Sequence, residues 1–225
     1  MCDNRNKYDE SIKKSFNIIS NMLYRYQFNE IAISFNGGKD NMVMYYLIFK
    51  YLYKIYGENT LMIMPICIYF KPKYEFTKMK KFINKCKKNL YMNLIIYEED
   101  MKNGLIKLQT EYPKIKCISI GTRRTDPYGS KLSPFKLTDS GWPLYMRVCP
   151  ILDWTYENIW LFINNTKLPY CSLYDDGYTS ISDITNTSKN PFLIYHNKYN
   201  ELSYYPAWKL KDEKNERAGR NKIII

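Results

Sequence analysis

The sequence predicts an α/β protein built on an open, mostly parallel, twisted sheet with helices on both faces and a loop-rich C-terminal extension. Short apolar runs alternate with segments of helical periodicity over roughly the first 120 residues, which is typical of β-α-β units. A polar glycine turn follows the first apolar run directly, at the point where a strand would pass into a helix. Because parallel strands need crossover connections, helices are expected to cover both faces of such a sheet.

The elements follow from the spacing of the apolar residues in chain order. Residues at helical spacing predict an amphipathic N-terminal helix, namely Ile12, Phe16, Ile19, Leu23 and Tyr26. The alternation that follows predicts strand 31–35, helix 40–56, strand 61–69, helix 75–89, strand 92–97, helix 101–111 and strand 115–120. From Thr122 the chain is rich in Pro, Gly, Ser and aromatic residues, with one further helix at 155–165. We therefore expect one domain over 1–225, with an α/β core at 1–121 and an extension at 122–225 that supplies a second pocket.

The glycine turn has the composition of a phosphate-binding loop. Gly37 and Gly38 allow a sharp turn and a close approach to a ligand, and the first-turn N–H groups of the next helix would point at that ligand. The turn is not a Walker A loop, because an earlier glycine is missing and Asp40 stands where Ser or Thr would bind magnesium. An ordinary strand-to-helix turn is the alternative, but Ser34, Lys39 and Asp40 beside the glycines favour a nucleotide site.

A second polar segment follows the fourth predicted strand. Gly121-Thr122-Arg123-Arg124-Thr125-Asp126-Pro127 places two guanidinium groups and a carboxylate at the sheet edge that carries the glycine turn. Arginine matches the geometry of phosphate oxygens. An Arg–Asp salt bridge that merely organises a turn is the alternative for this segment taken alone. Together the two segments favour a site for an anionic ligand.

Composition limits the possible partners and the compartment. The formal charge is +12 and the pI about 9.2, but the basic residues are scattered among acids, so we expect no nucleic-acid partner. No secretory signal opens the chain and no 18 apolar residues run together, so we expect a cytoplasmic protein without a membrane partner. The six cysteines form no C-x-x-C pair, which predicts reduced thiols. We expect a monomer, with a dimer as the alternative.

Several motifs resemble one family in order and approximate spacing. They are S-F-N-G-G-K-D at 34–40, G-T-R-R-T-D-P-Y at 121–128, G-W-P at 141–143, L-D-W-T-Y at 152–156, P-Y-C-S-L-Y-D at 169–175, G-Y-T-S at 177–180 and N-P at 190–191. The glycine turn resembles the pyrophosphate loop of the ATP-pyrophosphatase superfamily, which includes the phosphoadenylyl-sulfate reductases. The full set resembles the eukaryotic FAD synthases, the FMN adenylyltransferases, over residues 30–220.

This resemblance implies a fold and a reaction. The fold would be adenine-nucleotide α-hydrolase-like, with a nucleotide-binding core and a flavin-binding extension. The reaction would be Mg²⁺-dependent transfer of the adenylyl group of ATP to FMN, giving FAD and pyrophosphate. The chain begins close to the glycine turn, so we expect no extra N-terminal domain and a single activity.

The resemblance also assigns roles to residues. Asn36 and Asp40 would lie around the ATP phosphates, and Asp126 would orient FMN and serve as the protein ligand of Mg²⁺, which the ATP phosphates mostly hold. Arg217 and Arg220 match a C-terminal arginine pair that would close over the pyrophosphate, both on one face if the tail is helical. Further binding residues would be Ser34, Gly37, Gly38 and Lys39 at the phosphates, Arg123 and Arg124 at anionic groups, and Trp154 and Tyr178 at the flavin.

Two departures and three alternatives accompany this hypothesis. Cys149 stands where the family usually has Asn, and Ser182 replaces a usual glycine. A phosphoadenylyl-sulfate reductase needs a nucleophilic cysteine in a C-terminal segment, and no cysteine follows Cys171. A tRNA-modifying ATP pyrophosphatase usually has Ser at the position of Asn41 and paired cysteines. A basic nucleotide- or RNA-binding module without catalysis is the third alternative.

Overall fold

A six-stranded sheet organises the fold. The computed structural model describes residues 2–220, with side chains from residue 6 onward. The strands of the sheet are β1 (Ile31–Ser34), β2 (Ile66–Phe70), β3 (Leu94–Tyr97), β4 (Cys117–Ser119), β5 (Phe135–Leu137) and β6 (Met146–Val148). Their order across the sheet is β3-β2-β1-β4-β6-β5, and every pair is parallel except the antiparallel pair of β5 and β6. The predicted fold class, α/β with an open and mostly parallel sheet, is confirmed.

Helices separate the first four strands of the sheet, and one hairpin lies outside it. The helices are α1 (Cys2–Arg25), α2 (Lys39–Tyr56), α3 (Thr60–Ile63), α4 (Thr77–Asn89), α5 (Met101–Glu111) and α6 (Tyr156–Thr166). The hairpin pairs β7 (Ile194–His196) with β8 (Leu202–Tyr204) in antiparallel register. Short 3₁₀ turns make up much of the rest of residues 172–215.

The alternation of side chains along β1 separates two cores. Ile31 and Ile33 contribute to the larger core, which also contains buried residues of α1, α2, α4 and α6. Ala32 points to the other face, where Leu105 and Leu108 of α5 pack. Helices therefore lie on both faces, but the second face carries far less cover. This leaves room on the second face for a cleft beside α5.

The strand order reverses next to β1, and this reversal positions the site. From β1 the chain passes through α2 to β2 on one side, and it returns through α5 to β4 on the other side. The loops that follow β1 and β4 therefore diverge from neighbouring strand ends. Ligands of open parallel sheets bind in such a crevice at the carboxyl ends of the strands.

Two parts of the sequence interpretation need correction. The predicted strand 61–69 begins only at Ile66, because Gly57–Asn59 and Thr60–Ile63 form consecutive helical turns. Met62, inside the predicted strand, is 88% exposed. The sheet also continues past residue 121, since β5 and β6 lie in the segment that was expected to be loops. The core and the extension thus share one sheet.

Gly104 gives a test of how tightly α5 packs on the sheet. A Cβ at this helical position would lie 2.6 Å from the ring of Phe70 and 3.3 Å from Cβ of Tyr97. We predict that Gly104→Ala destabilises the fold by roughly 1–2 kcal/mol, although alanine alone would favour the helix by about 1 kcal/mol. Thermal melting of Gly104→Ala, Phe70→Leu and the double variant measures this. The double variant should lose less stability than the two single variants lose in sum. A higher melting temperature for Gly104→Ala than for the unsubstituted protein would contradict tight packing of α5 at this position.

Candidate active site

The loop after β1 turns tightly and delivers the N-terminus of α2 to the sheet edge. Gly37 has φ +73°, and a Cβ there would lie 2.6 Å from Met79 Sδ, so this position requires glycine. The side-chain oxygen Oδ1 of Asn36 accepts hydrogen bonds from Gly38 N–H (2.9 Å) and from Asn41 Nδ2 (2.6 Å). The 18-residue helix α2 begins at Lys39. Its first-turn amides and its positive dipole end therefore lie at the site, as an anion requires.

The loop after β4 folds back on itself beside the first loop. The Asp126 Oδ2 atom accepts a hydrogen bond from Arg123 N–H (2.9 Å), and Asp126 N–H donates to the Arg123 carbonyl (3.0 Å). Asn41 connects the two loops, because its Oδ1 accepts a hydrogen bond from Gly121 N–H (3.2 Å). A single amide side chain thus fixes the spacing of both loops at the strand reversal.

A buried ring of four charges lies beneath these loops. The Lys39 ammonium is 2.8 Å from Asp40 Oδ2 and 2.5 Å from Glu216 Oε1. Arg123 completes the ring through Nε, 2.8 Å from Asp40 Oδ1, and through an ion pair with Glu216 Oε2. The residues Lys39, Arg123 and Glu216 are only 1%, 0% and 5% exposed. We call these four residues the charge ring.

The electrostatics of the ring keep Lys39, Asp40 and Arg123 charged. Burial alone would lower the pKa of the Lys39 ammonium, but Asp40 and Glu216 outweigh it and raise that pKa above its ordinary value. Burial likewise favours the neutral form of Asp40, but Lys39 and Arg123 lower the pKa of its carboxyl below the usual range. Burial would also lower the pKa of Arg123, but Asp40 and Glu216 outweigh it and raise that pKa above its ordinary value. Two cations and two anions therefore balance in a largely buried cluster, in which Asp40 has the most exposed side chain, at 21%.

The C-terminal tail supplies Glu216 and is anchored on both sides of it. Thr179 Oγ1 donates to the Glu216 carbonyl (2.6 Å), and Asn190 Nδ2 donates to the Asn215 carbonyl (2.7 Å). Ser188 N–H donates to the Gly219 carbonyl (2.8 Å). The tail is not a regular helix: a 3₁₀ turn at Glu213–Asn215 is followed by turns that end in an isolated bridge at Arg220.

A cleft of about 420 Å³ opens above the charge ring. Its polar side carries the two loops and the tail: Ser34, Asn36, Gly38, Lys39, Asp40, Asn41, Gly121, Thr122, Asp126, Glu216, Arg217 and Arg220. Its apolar side comes from α5, the second face of the sheet and the end of β2: Phe70, Met101, Leu105, Ile118 and Ile120. The cleft can therefore hold a molecule that joins phosphates to an apolar ring system.

Two arginines of the tail face this cleft without being neutralised. Arg217 Nη1 lies 3.9 Å from Asp126 Oδ1, too far for a hydrogen bond. Arg220 Nη1 donates to Ser180 Oγ (3.3 Å), and its buried Nε has no hydrogen-bond partner within residues 2–220. Burial, and then the charge of Arg217, lower the pKa of Arg220. Burial also raises the pKa of Asp126, although the Arg123 N–H opposes this. An anionic ligand would relieve the repulsion between the two cations.

Comparisons with known proteins identify the family of this chain. A family model described as the phosphoadenosine phosphosulfate reductase domain matches residues 30–189. A probable FAD synthase of Schizosaccharomyces pombe is 42% identical over 202 residues, covering 88% of this chain and 74% of that protein. The chain belongs to the eukaryotic FAD synthase family.

Two further relatives extend the comparison. A probable FAD synthase of Caenorhabditis elegans is 34% identical over 98% of this chain, which spans only 42% of that protein. The crystal structure of Candida glabrata FMN adenylyltransferase in complex with FMN and the ATP analogue AMPCPP superposes with a TM-score of 0.86. It is 27% identical, and the match covers 96% of this chain and 90% of the Candida chain.

Most of the residues predicted from the FAD synthase motifs line the cleft. They are Ser34, Asn36, Gly38, Lys39, Asp40, Asp126, Arg217 and Arg220. Gly37 lies beneath the loop against Met79 and Ile83. Ser182, one of the departures from the family pattern, also lines the cleft, and its N–H donates to Thr187 Oγ1 (3.2 Å). Cys149, the other departure, is buried in the core.

The structure argues against direct ligand contacts for two predicted arginines and changes the role of Lys39. Arg123 is fully buried in the charge ring and does not line the cleft. Arg124 points elsewhere, with Nε 2.5 Å from Asp153 Oδ1 and Nη1 donating to backbone carbonyls. Lys39 borders the cleft, but two carboxylates already bind its ammonium. Lys39 therefore serves the fold of the site rather than acting as a free phosphate ligand.

The expected aromatic flavin slot also needs correction. Trp154 is 3% exposed, its indole N–H donates to Ser15 Oγ (2.8 Å), and its ring packs edge-on against Phe162. Tyr178 packs edge-on against Phe76, with ring centroids 5.3 Å apart. Neither Trp154 nor Tyr178 lines the cleft, whose apolar side is mostly aliphatic. Aromatic residues at helical and loop positions are thus used here for the core.

The sequence interpretation missed three residues of the site. Glu216 closes the charge ring, Asn41 connects the two loops, and the Tyr174 hydroxyl accepts a hydrogen bond from Lys39 N–H (2.9 Å). Asn41 directly follows the loop aspartate, so its position was a usable signal. Glu216 lies in a strongly polar tail, and nothing in the neighbouring sequence marks its burial.

Trp154 can be tested as a core residue by stability alone. We predict that Trp154→Phe lowers the free energy of unfolding by roughly 1–3 kcal/mol, because Ser15 loses a buried hydrogen bond and the smaller ring leaves a gap. Trp142→Phe is the matched control, since Trp142 is 42% exposed, and it should stay within about 0.5 kcal/mol of the unchanged protein. Urea unfolding measures both. Equal stability of the two variants would contradict the core assignment.

Asp40 can be tested through the pH dependence of stability. The pKa of Asp40 is lowered in the folded state, so its ionised form stabilises the fold above its unfolded pKa of about 3.9, and this contribution is lost as pH falls through the folded value. We predict that Asp40→Asn costs about 3 kcal/mol at neutral pH, because it leaves a buried cation unpaired. The deficit relative to the unchanged protein should shrink as the pH is lowered below about 4.

Denaturant unfolding at several pH values measures this deficit. The matched control is Asp153→Asn, which breaks the exposed pair with Arg124 and should cost no more than about 1 kcal/mol. An Asp40→Asn variant no less stable than Asp153→Asn would refute a stabilising charge ring.

Proposed function

We propose that this chain transfers the adenylyl group of ATP to FMN and releases FAD and pyrophosphate. One observation carries the proposal: a single cleft at the strand reversal gathers the phosphate loop, Asp126 and two tail arginines opposite an apolar side. The related Candida enzyme, solved with FMN and an ATP analogue, shares this fold at a TM-score of 0.86. A cleft of this composition suits two phosphate-bearing substrates whose ring systems are apolar.

The reaction needs little covalent help from the protein. A terminal oxygen of the FMN phosphate attacks the α-phosphorus of ATP, the bond from that phosphorus to the α–β bridging oxygen breaks, and pyrophosphate leaves. A phosphate monoester is mostly a dianion at pH 7, so the attack requires no general base. The obstacle is the repulsion between two anions. Catalysis therefore rests on positioning and on neutralising charge.

The residues of the cleft divide these tasks. We assign the β- and γ-phosphates to the first-turn amides of α2 other than that of Lys39, which donates to the Tyr174 hydroxyl; Asn36 and Gly38 shape the entry to this turn. We assign the charge that develops on pyrophosphate to Arg217 and Arg220. Lys39 and Arg147, the other described cations that line the cleft, lie 2.5 Å and 3.2 Å from carboxylate oxygens, whereas Arg217 lies 3.9 Å from Asp126. Asp126 would orient FMN near the reacting phosphates.

Magnesium fits this site only with help from the substrate. Within residues 2–220 no three His, Cys, Asp or Glu side chains come together as a metal site, and both Asp40 oxygens are engaged in the charge ring. Asp126 lines the cleft and keeps one oxygen without a hydrogen bond, so it can supply one carboxylate. Mg²⁺ commonly binds through one carboxylate, substrate phosphates and water. When bound, it would offset the negative charge of the triphosphate.

The remaining properties are proposed on separate grounds. The five described cysteines are free thiols, which suits the reducing cytoplasm. No helix within residues 2–220 is long and apolar enough to cross a bilayer. One chain supplies every element of the cleft, so we propose a monomer, with small-molecule substrates and no nucleic acid as partners. Reductase chemistry is disfavoured because Cys171 is fully buried and burial raises the pKa of its thiol.

The direct test is to incubate the purified protein with ATP, MgCl₂ and FMN, and to separate FMN from FAD by chromatography. FAD and pyrophosphate should appear in equal amounts and should require all three components. Omission of FMN gives the background of ATP hydrolysis. Absence of FAD from a folded protein at saturating substrates would overturn the proposed function.

Substitution of a tail arginine tests whether the tail belongs to the active site or is merely a solvated segment. Arg217→Ala should lower kcat/KM for ATP by on the order of a hundredfold, because a charged donor to the reacting phosphates is lost. Lys214→Ala is the matched control, since Lys214 is an exposed cation three residues away in the same tail. It should leave kcat/KM unchanged within about twofold. Similar kinetics for the two variants would remove Arg217 from the site.

A further inference from the structure

Glu216 is the residue at which three separate segments meet. Its Oε1 contacts Lys39 at the start of α2, its Oε2 pairs with Arg123 of the loop after β4, and its carbonyl accepts a hydrogen bond from Thr179 Oγ1 (2.6 Å). The next residue along the chain, Arg217, lines the cleft. Both side-chain oxygens of Glu216 are thus already paired with cations of the protein.

We propose that Glu216 is a positioning residue that holds Arg217 and Arg220 over the reacting phosphates. This inference rests on the proposed function and adds a residue to it. The carboxylate pins the tail to both phosphate-binding loops, and the fixed backbone then directs the two arginines inward. The Glu216 carboxylate also binds Lys39 and so joins the tail to the first turn of α2. The distance between the tail and the phosphate loop is thereby fixed.

The backbone after Glu216 supports this role. Arg220 N–H donates to the Arg217 carbonyl (2.9 Å), which makes a compact turn between the two arginines. A Cβ on Gly219 would lie 2.3 Å from the Ser188 carbonyl oxygen, so this turn lies directly against the neighbouring loop. The turn therefore has few ways to move while Glu216 stays in place. An arginine side chain on a loose backbone would lose more conformational entropy when it binds phosphate.

A purely structural role for Glu216 is the competing explanation, and it predicts different kinetics. Removal of a buried charge would then lower stability and activity whether or not the arginines are present. If Glu216 acts through the arginines, its substitution should matter only while they are there. A double-mutant cycle measures this difference.

The experiment compares Glu216→Gln, Arg217→Ala/Arg220→Ala and the combined variant by kcat/KM for ATP. Glu216→Gln keeps the shape of the side chain and removes its charge. We expect Glu216→Gln to lower kcat/KM for ATP by about thirtyfold when both arginines are present, and by less than about threefold when both are replaced by alanine. Equal factors in the two backgrounds would overturn the proposal.

A second variant keeps the test decisive if Glu216→Gln folds poorly. Thr179→Val removes the hydroxyl that donates to the Glu216 carbonyl and accepts from Asn190 Nδ2, and it changes no side chain of the charge ring. It should lower kcat/KM by about tenfold, again only while the arginines are present, and Thr179→Ser should restore most of the activity because it keeps the hydroxyl. Failure of Thr179→Ser to restore activity, or a loss that persists without the arginines, would refute positioning through the tail.

Hydrogen exchange gives a readout that does not depend on turnover. The amides of Ala218 and Arg220 donate within the tail and should exchange faster in Thr179→Val, while the amides of β1 and β4 keep their protection. Unchanged exchange in the tail would overturn the anchoring role. Because the unchanged protein is assayed for FAD alongside, failure of the proposed function would appear there as absent product, whereas failure of this inference would leave that product intact.

Discussion

Charge balance in a largely buried cluster is the constraint on which the site depends. The structure buries the side chains of Lys39 and Arg123 almost completely against two carboxylates, and these carboxylates rather than solvent keep the two cations charged. A buried ion pair offers little net stability over apolar packing, but removal of one partner is costly. The charge ring is therefore best understood as a device that specifies geometry. It fixes the start of α2, the loop after β4 and the tail in one arrangement.

This arrangement explains the division of labour among the basic residues. The cations nearest the sheet, Lys39 and Arg123, are fully engaged by carboxylates and belong to the framework. The cations that remain for a ligand come from the tail, on segments held by hydrogen bonds from Thr179 and Asn190. One set of charged residues thus holds the site together, and a different set is available to bind a ligand. A preorganised cleft of this kind needs little rearrangement when a polyanion enters.

The sequence predicted the parts of the molecule that local physics determines. The glycine turn, its register with β1 and the helix after it follow from neighbouring residues, and the alternation of strands and helices predicts the parallel sheet. The strands β5 and β6 were missed because three residues are too few to show a period. Trp154 was assigned to the flavin on motif membership, but its burial depends on α1, far away in the chain. The role of Glu216 was not predictable, because Lys39 is 177 positions away and only the folded chain brings them together.

The charge ring also has an evolutionary consequence. Its four positions are spread over three segments of the chain, yet they share a single condition, which is a net charge of zero. A descendant that replaced Glu216 by a neutral residue would carry an uncompensated cation until Lys39 or Arg123 also changed. Single-step substitutions should therefore be disfavoured at all four positions, and surviving lineages should change them in compensating pairs. The four positions should therefore change together during evolution, although their three segments are far apart in the gene.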